Sequence, residues 1–389
     1  MKYTEILFTA LRLGLTSFGG PIAHLAYFRE VYVQRKKWIS ESDYLDLISL
    51  CQVLPGPASS QVGLAIGFIR GGYLGSILAW IGFTLPSALF LCLCAMGINS
   101  FASFLPPLFI HSLKVGSVAV ILQAIVNMSK QTFGDHIRII IALCSSILLW
   151  LVQIPFLPML LIFLSGFCGY YFGPQTSSES NKTESISFKQ NSLFFFLILT
   201  AIFFLLMAIG NGDPLLSVLS LFYRTGFLVF GGGHVVLPLL QDELVSNGLL
   251  TKDLFLAGYG LANIVPGPLF SFSAFVGFLV PTKINSWLSA TLCTVFLFIP
   301  SFLLIWGTLP NWEKIKSIDS VKRMLYWINA SVLGFLIAAL YDPIWKQTIE
   351  SNLDISIATL GFVFLEQLKF PSWLVVLSIV MIYNLQSIL

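Results

Sequence analysis

Charge is scarce in this sequence. Only 10% of its 389 residues are Asp, Glu, Lys or Arg, against roughly a quarter in ordinary soluble domains. With 57% hydrophobic residues and a mean hydropathy of +0.87, the chain has lipid for its solvent. The net charge of +3 is small and scattered, so nucleic acid is not expected as a partner. No Cys-x-x-Cys spacing occurs among Cys51, Cys92, Cys94, Cys144, Cys168 and Cys293, and all lie in or beside apolar stretches. Cysteine acts there as a small hydrophobe, so no disulfide framework, metal site or cofactor is expected. There are four histidines, and no His-Glu-x-x-His, Asp pair or Ser/Lys constellation falls in an apolar run, which counts against the rival reading of an intramembrane enzyme. Alternation of polar and apolar residues is also lacking, and this excludes a transmembrane β-barrel.

What the chain has instead is apolar runs. A bilayer is crossed by about 20 apolar residues, and such runs lie near 73–97, 107–130, 155–173, 193–210, 286–309, 324–345 and 371–388, with shorter ones near 137–152 and 353–367. The fold class is therefore an all-α polytopic membrane protein in a lipid bilayer. The first apolar run is interrupted by Glu5 and Arg12 and lacks a small-residue cleavage site, so it reads as retained rather than as a signal peptide. Residues 174–192 are rich in Ser, Thr, Glu and Lys and read as a polar linker.

The linker separates two copies of one pattern. "RLGLTSFGGP" from Arg12 matches "RTGFLVFGGG" from Arg224 at an offset of 212 residues, and "QVLPGP" from Gln52 matches "NIVPGP" from Asn263 at 211. Pro86-Ser87 recurs as Pro300-Ser301 at an offset of 214. The expected organisation is a first repeat over 1–173, the linker over 174–192, a connecting transmembrane helix over 193–210 and a second repeat over 211–389. Basic residues mark cytoplasmic loops. In the first repeat they follow the glycine break (Arg29, Arg35, Lys36, Lys37), where the second has Asp242 and Glu243. In the second repeat they gather instead at Lys314, Lys316, Lys322 and Arg323, where the first has the uncharged stretch 98–107. The repeats are thus predicted to have inverted topology, a plan that places a binding site near the midplane between them.

Parity then requires residues 40–54 and 57–70 to return to the side they left, as a re-entrant hairpin bent at Pro55-Gly56-Pro57 and started by a Ser40-x-x-Asp43 cap. Pro266-Gly267-Pro268 bends its counterpart, and Phe18-Gly19-Gly20 and Phe230-Gly231-Gly232 break a further pair of helices. Free N–H groups at the start of a broken helix bind anions. The candidate substrate contacts are Arg12, Gly19, Gly20, Gln52, Gly56, Ser59, Ser60 and Gln61 in the first repeat, with Arg224, Gly231, Gly232, Asn263, Gly267 and Ser271 in the second. Candidates for proton coupling are His24, Glu30, Asp242 and His234. Bland alternatives stand beside these: proline as a kink, arginine as a snorkelling group, serine as a packing residue. A passive oxyanion channel would use the same helix ends. A homodimer is a candidate assembly.

The paired stretches resemble the chromate ion transporter family in its long, two-domain form: Phe18-Gly19-Gly20-Pro21, "LCQVLPGPASSQVG" at 50–63, "FGGGHVVLPLL" at 230–240 and "GYGLANIVPGPLFSFSA" at 258–274. The resemblance implies a multi-pass carrier of the bacterial inner membrane that exports chromate, with sulfate as a structural analogue. The chemistry read from the residues agrees, since helix ends, hydroxyls and arginines suit a tetrahedral dianion. A negative-inside potential favours the exit of such an ion by about 4.6 kcal/mol per 100 mV.

Overall fold

The computed structural model describes residues 2–18, 20–101, 107–132, 135–152, 157–173, 190–209, 213–229, 236–311 and 319–386. Among them there are helices and turns but no strand. The first repeat runs through α1 (Lys2–Thr16), α2 (Gly20–Phe28), a π-helical turn (Arg29–Arg35), α3 (Glu41–Val53), α4 (Ala58–Phe101), α5 (Pro107–Thr132), α6 (His136–Leu151) and α7 (Leu157–Phe172). After α8 (Gln190–Ile209) the pattern returns as α9 (Pro214–Leu228), α10 (Val236–Ser246), α11 (Lys252–Ile264), a 3-10 turn (Leu269–Ser271) with α12 (Phe272–Leu279), and α13 (Ser286–Thr308). It closes with α14 (Asp319–Ala339), α15 (Asn352–Glu366) and α16 (Ser372–Gln386).

Polar side chains start these helices where the backbone needs them. Ser40 accepts the N–H of Asp43 at 3.1 Å, Asp213 that of Leu215 at 2.8 Å just before Pro214, and Asn285 that of Trp287 at 2.9 Å. Ser351 and Asp354 form a full capping box. α4 is not one rod. Gly71 and Gly72 leave helical geometry, with φ at Gly72 of +63°, and limb 73–101 folds back along limb 58–70 so that Ser76 Oγ donates to Leu64 O at 2.9 Å. With α3, the first limb makes the expected hairpin, whose tip is Pro55-Gly56-Pro57.

Among the described residues, three helical stretches satisfy length and apolarity for a span: Ala58–Ile98, which contains the break at Gly71-Gly72, Leu108–Lys130 and Ser286–Asn311. Helices α7 and α16 are shorter than the apolar runs at 155–173 and 371–388 that hold them. α6 and α7 have 16 residues each, about 24 Å, and short spans are met by local thinning of the bilayer or by snorkelling flanks.

The two repeats interlock. α6 and α7 of the first pack on α14 of the second, and α15 and α16 of the second pack on α5 of the first. Trp150 Nε1 donates to Ala338 O at 3.1 Å on one side, and Gln123 Nε2 to Leu365 O at 2.9 Å on the other. At the centre, limb 73–101 and its repeat counterpart α13 run antiparallel. Tyr73 meets Trp306 with ring centroids 5.1 Å apart, and Trp80 meets Phe298 and Phe302 at 5.5 Å. Equivalent helices that pack antiparallel are related by an axis perpendicular to them, which is the geometry of inverted repeats.

Candidate functional site

Both tips need glycine. Gly56 has φ +123° and Gly267 φ +98°, conformations that residues with a Cβ rarely adopt. Each tip reaches across to the helix break of the other repeat. Gly56 N–H donates to Val229 O at 2.7 Å, and Gly267 N–H donates to Ser17 O at 2.9 Å. Val229 and Ser17 occupy the same repeat position, one residue before the Phe-Gly-Gly stretches. A Cβ on Gly56 would lie 2.7 Å from Ser301 Oγ, and one on Gly267 would lie 2.9 Å from Ser87 Oγ. Those serines are themselves repeat counterparts, each following the proline inside its long helix.

Helical hydrogen bonding starts one residue later than expected at each tip. Pro57 O accepts from Gln61 N at 2.9 Å and Pro268 O from Ser271 N at 2.9 Å, so both prolines cap their helices rather than occupy the first helical position. The N–H groups that follow are the unpaired ones at a helix start.

The polar side chains gather around the first tip. His24 Nδ1 and Ser59 Oγ are 3.3 Å apart, and the imidazole lies edge-on to Phe83 at 5.3 Å and beside the Ser17 backbone. Gln61 Nε2 donates to Pro55 O at 2.7 Å and reaches Ser301 Oγ at 3.4 Å. Ser17, Ser60 and Thr84 are buried, and their hydroxyls have no hydrogen-bond partner of ordinary geometry. The same holds for His24 Nε2 and Gln61 Oε1. At the second tip, Ser271 Oγ bonds Ser87 Oγ at 2.6 Å, and Ser273 Oγ donates to Phe270 O at 2.8 Å and Thr294 Oγ1 at 3.1 Å.

The other expected contacts are dispersed. Gly20, with φ +78°, begins α2. Arg12 is exposed on α1, whereas Arg224 is largely buried and pairs with Glu243 at 2.7 Å. The repeated arginines are therefore not brought together, because only the second repeat supplies an acid within reach. Gln52 is exposed, while its counterpart Asn263 is buried and donates to Tyr259 O of its own helix at 2.8 Å. Glu30 pairs with Arg35 on an exposed turn. Gly19, Gly231, Gly232 and His234 fall outside the described residues, as does the side chain of Asp242. Lys114 crosses between repeats to Asp253 at 2.7 Å. Sequence reading missed Ser17, Thr84, Ser87 and Ser301 as site residues. Repetition of Pro-Ser at 86–87 and 300–301 was the signal for Ser87 and Ser301, and none marked Ser17 or Thr84.

Comparison with known proteins fits this geometry. The family model described as chromate transporter matches residues 4–170 and again 216–383, one match for each interlocked repeat. An uncharacterized transporter of Methanocaldococcus jannaschii is 29% identical over 86% of this chain and 82% of its own length. A probable chromate transport protein of Synechococcus elongatus is 27% identical over 85% and 81%, and a chromate transport protein of Pseudomonas aeruginosa 26% identical over 94% and 87%. No solved structure matches the chain. With both repeats matched, the chain belongs to the chromate transporter family.

Proposed function

We propose that this protein is a secondary carrier that exports chromate, or its analogue sulfate, across the bacterial inner membrane. The anion binds at the midplane, where the Pro-Gly-Pro tips meet the opposite helix breaks. The observation that carries this reading is the reciprocal pair of tip bonds, Gly56 to Val229 and Gly267 to Ser17. They hold two helix starts, each with unpaired N–H groups, against the interface of two inverted repeats. Such an interface allows one repeat to rock against the other around a fixed site. Irregular backbone at this depth is tolerated where it lines a cavity.

Orientation follows from charge. The end of the first repeat that carries Arg29, Lys36 and Arg70 faces the cytoplasm, with Lys36 paired to Glu5 at 2.9 Å, Arg29 to Glu41 at 2.6 Å, and Arg70 over Trp38 at 5.4 Å. In a background without native cysteines, a cysteine replacing Lys36 is expected to react with impermeant thiol reagents only from the cytoplasmic side. One replacing Asn247 is expected to react only from outside. Equal sidedness for the two positions refutes the inverted insertion. The carrier itself is tested by counterflow, in which unlabelled chromate on one side accelerates entry of labelled chromate from the other. A channel lacks that response.

A further inference from the structure

We infer that the chain holds one oxyanion subsite rather than a symmetric pair, formed on the first-repeat side by the hydroxyls of Ser17, Ser60 and Thr84 with His24, at the helix start after Pro57. The inference rests on the reading of the tips as an anion site and narrows it to one set of side chains.

The two tips share a backbone but not a lining. At the repeat offsets of 211, 212 and 214 residues, Ser59 and Gln61 correspond to Phe270 and Phe272, Ser17 to Val229, and Thr84 to Phe298. All four apolar counterparts are buried, and the rings of Phe270 and Phe298 meet at 6.2 Å. Ser59 and Thr84 thus stand where the second repeat is plugged by two aromatic rings. Each exchange of Phe for a hydroxyl residue adds a hydrogen-bond donor, which makes the first-repeat side more polar than its twin.

Hydrogen bonding separates the sites in the same direction. Hydroxyls in helices commonly return their hydrogen to a carbonyl about one turn back, as Ser117 does to Leu113 O at 2.9 Å, Thr294 to Ala290 O at 2.8 Å and Thr308 to Leu304 O at 2.6 Å. Ser17, Ser60 and Thr84 form no such bond and none of another kind, although they are only 0%, 2% and 2% exposed. A buried polar group without a partner costs about 1–3 kcal/mol. Ser271, the counterpart of Ser60, is by contrast bonded to Ser87. Three hydroxyl donors, an imidazole and a helix start, with no carboxylate in the set, are chemistry for an oxyanion and not for a cation. Gly267 N–H donates to Ser17 O at 2.9 Å, which ties the second tip to the residue that bears one of these hydroxyls.

Equilibrium binding of labelled sulfate and chromate to the full chain in nanodiscs tests the inference. The expected stoichiometry is one ion per chain. Ser17→Ala and Thr84→Val should each weaken binding about tenfold, the scale of one lost hydrogen bond to an ion. Thr308→Val, which removes a hydroxyl that is already satisfied, should bind like the wild type. Two ions per chain, or wild-type affinity in both Ser17→Ala and Thr84→Val, overturns the single subsite and leaves oxyanion transport standing. If Thr84→Val fails to insert, Ser17→Ala alone decides. Failure of the wild-type protein both to bind and to move either ion overturns the transport reading, and the subsite with it.

Discussion

Gly56→Leu and Gly267→Leu should each lower chromate transport by about a hundredfold or more while the protein still inserts. Both glycines have positive φ, and strain of that kind costs on the order of 1–3 kcal/mol per residue. Steric conflict adds to it. A side chain at Gly56 collides with Ser301 Oγ and the Gln61 amide, and one at Gly267 collides with Ser87 Oγ and approaches Gly14 O at 3.3 Å. To relieve this, the tip must withdraw from the opposite repeat, breaking its bond to Val229 or Ser17. Such a displacement at an ion site costs far more in rate than in stability. The surrounding helices keep their own packing, so the level of protein in the membrane should stay near normal. Changing either Pro-Gly-Pro to Ala-Ala-Ala should do at least as much damage, because the hairpin loses its bend and its free helix end. The check is the initial rate of chromate transport per amount of inserted protein. An unchanged rate and affinity in a well-expressed triple-alanine variant of either tip reduces that tip to a structural turn.

The second large effect is expected at the ion pair between Arg224 and Glu243. These side chains are 13% and 23% exposed and 2.7 Å apart, and removing one partner of a buried pair costs about 3–5 kcal/mol because it strands the other charge. Arg224→Gln should therefore lower the yield of folded protein and its thermal stability in detergent. Glu243→Gln should do the same. The double variant should recover most of the loss, since neither charge is left alone. Arg12→Gln, on an exposed face of α1, should leave stability almost unchanged. Normal stability of Arg224→Gln would mean that the pair adds nothing to the fold. A loss of transport without a loss of stability would return Arg224 to the substrate path.

How far the chain could be read in advance differs from feature to feature. Helix breaks at Phe18-Gly19-Gly20 and Pro55-Gly56-Pro57 were legible because glycine and proline act locally. The inverted arrangement was legible because lysine and arginine mark one face of a membrane. The exchange between repeats was not: nothing near Gly56 in sequence names Val229 as its acceptor, and nothing in α6 or α7 foretells packing on α14. Equivalent positions also misled. Arg12 and Arg224 match in the repeat, yet only Arg224 has an acid, Glu243, within reach. Gln52 and Asn263 match as well, but Asn263 is short enough to bond Tyr259 O on its own helix and Gln52 faces outward. Serine and threonine were read as tip donors or packing residues. Which of them lacks a partner depends on the whole set of neighbours, and so Ser17 and Thr84 emerged only with the fold.

The most direct test of the account is transport of labelled chromate into inverted membrane vesicles carrying the full chain, energised so that the lumen is positive. Export in the cell corresponds to entry here, and each 100 mV favours a dianion by about 4.6 kcal/mol. The account predicts saturable accumulation that collapses with the potential, is inhibited by sulfate, shows counterflow, and disappears in the Gly56→Leu and Gly267→Leu variants. Vesicles that accumulate no more chromate than those lacking the protein, or that do so equally well with both tips altered, would contradict it.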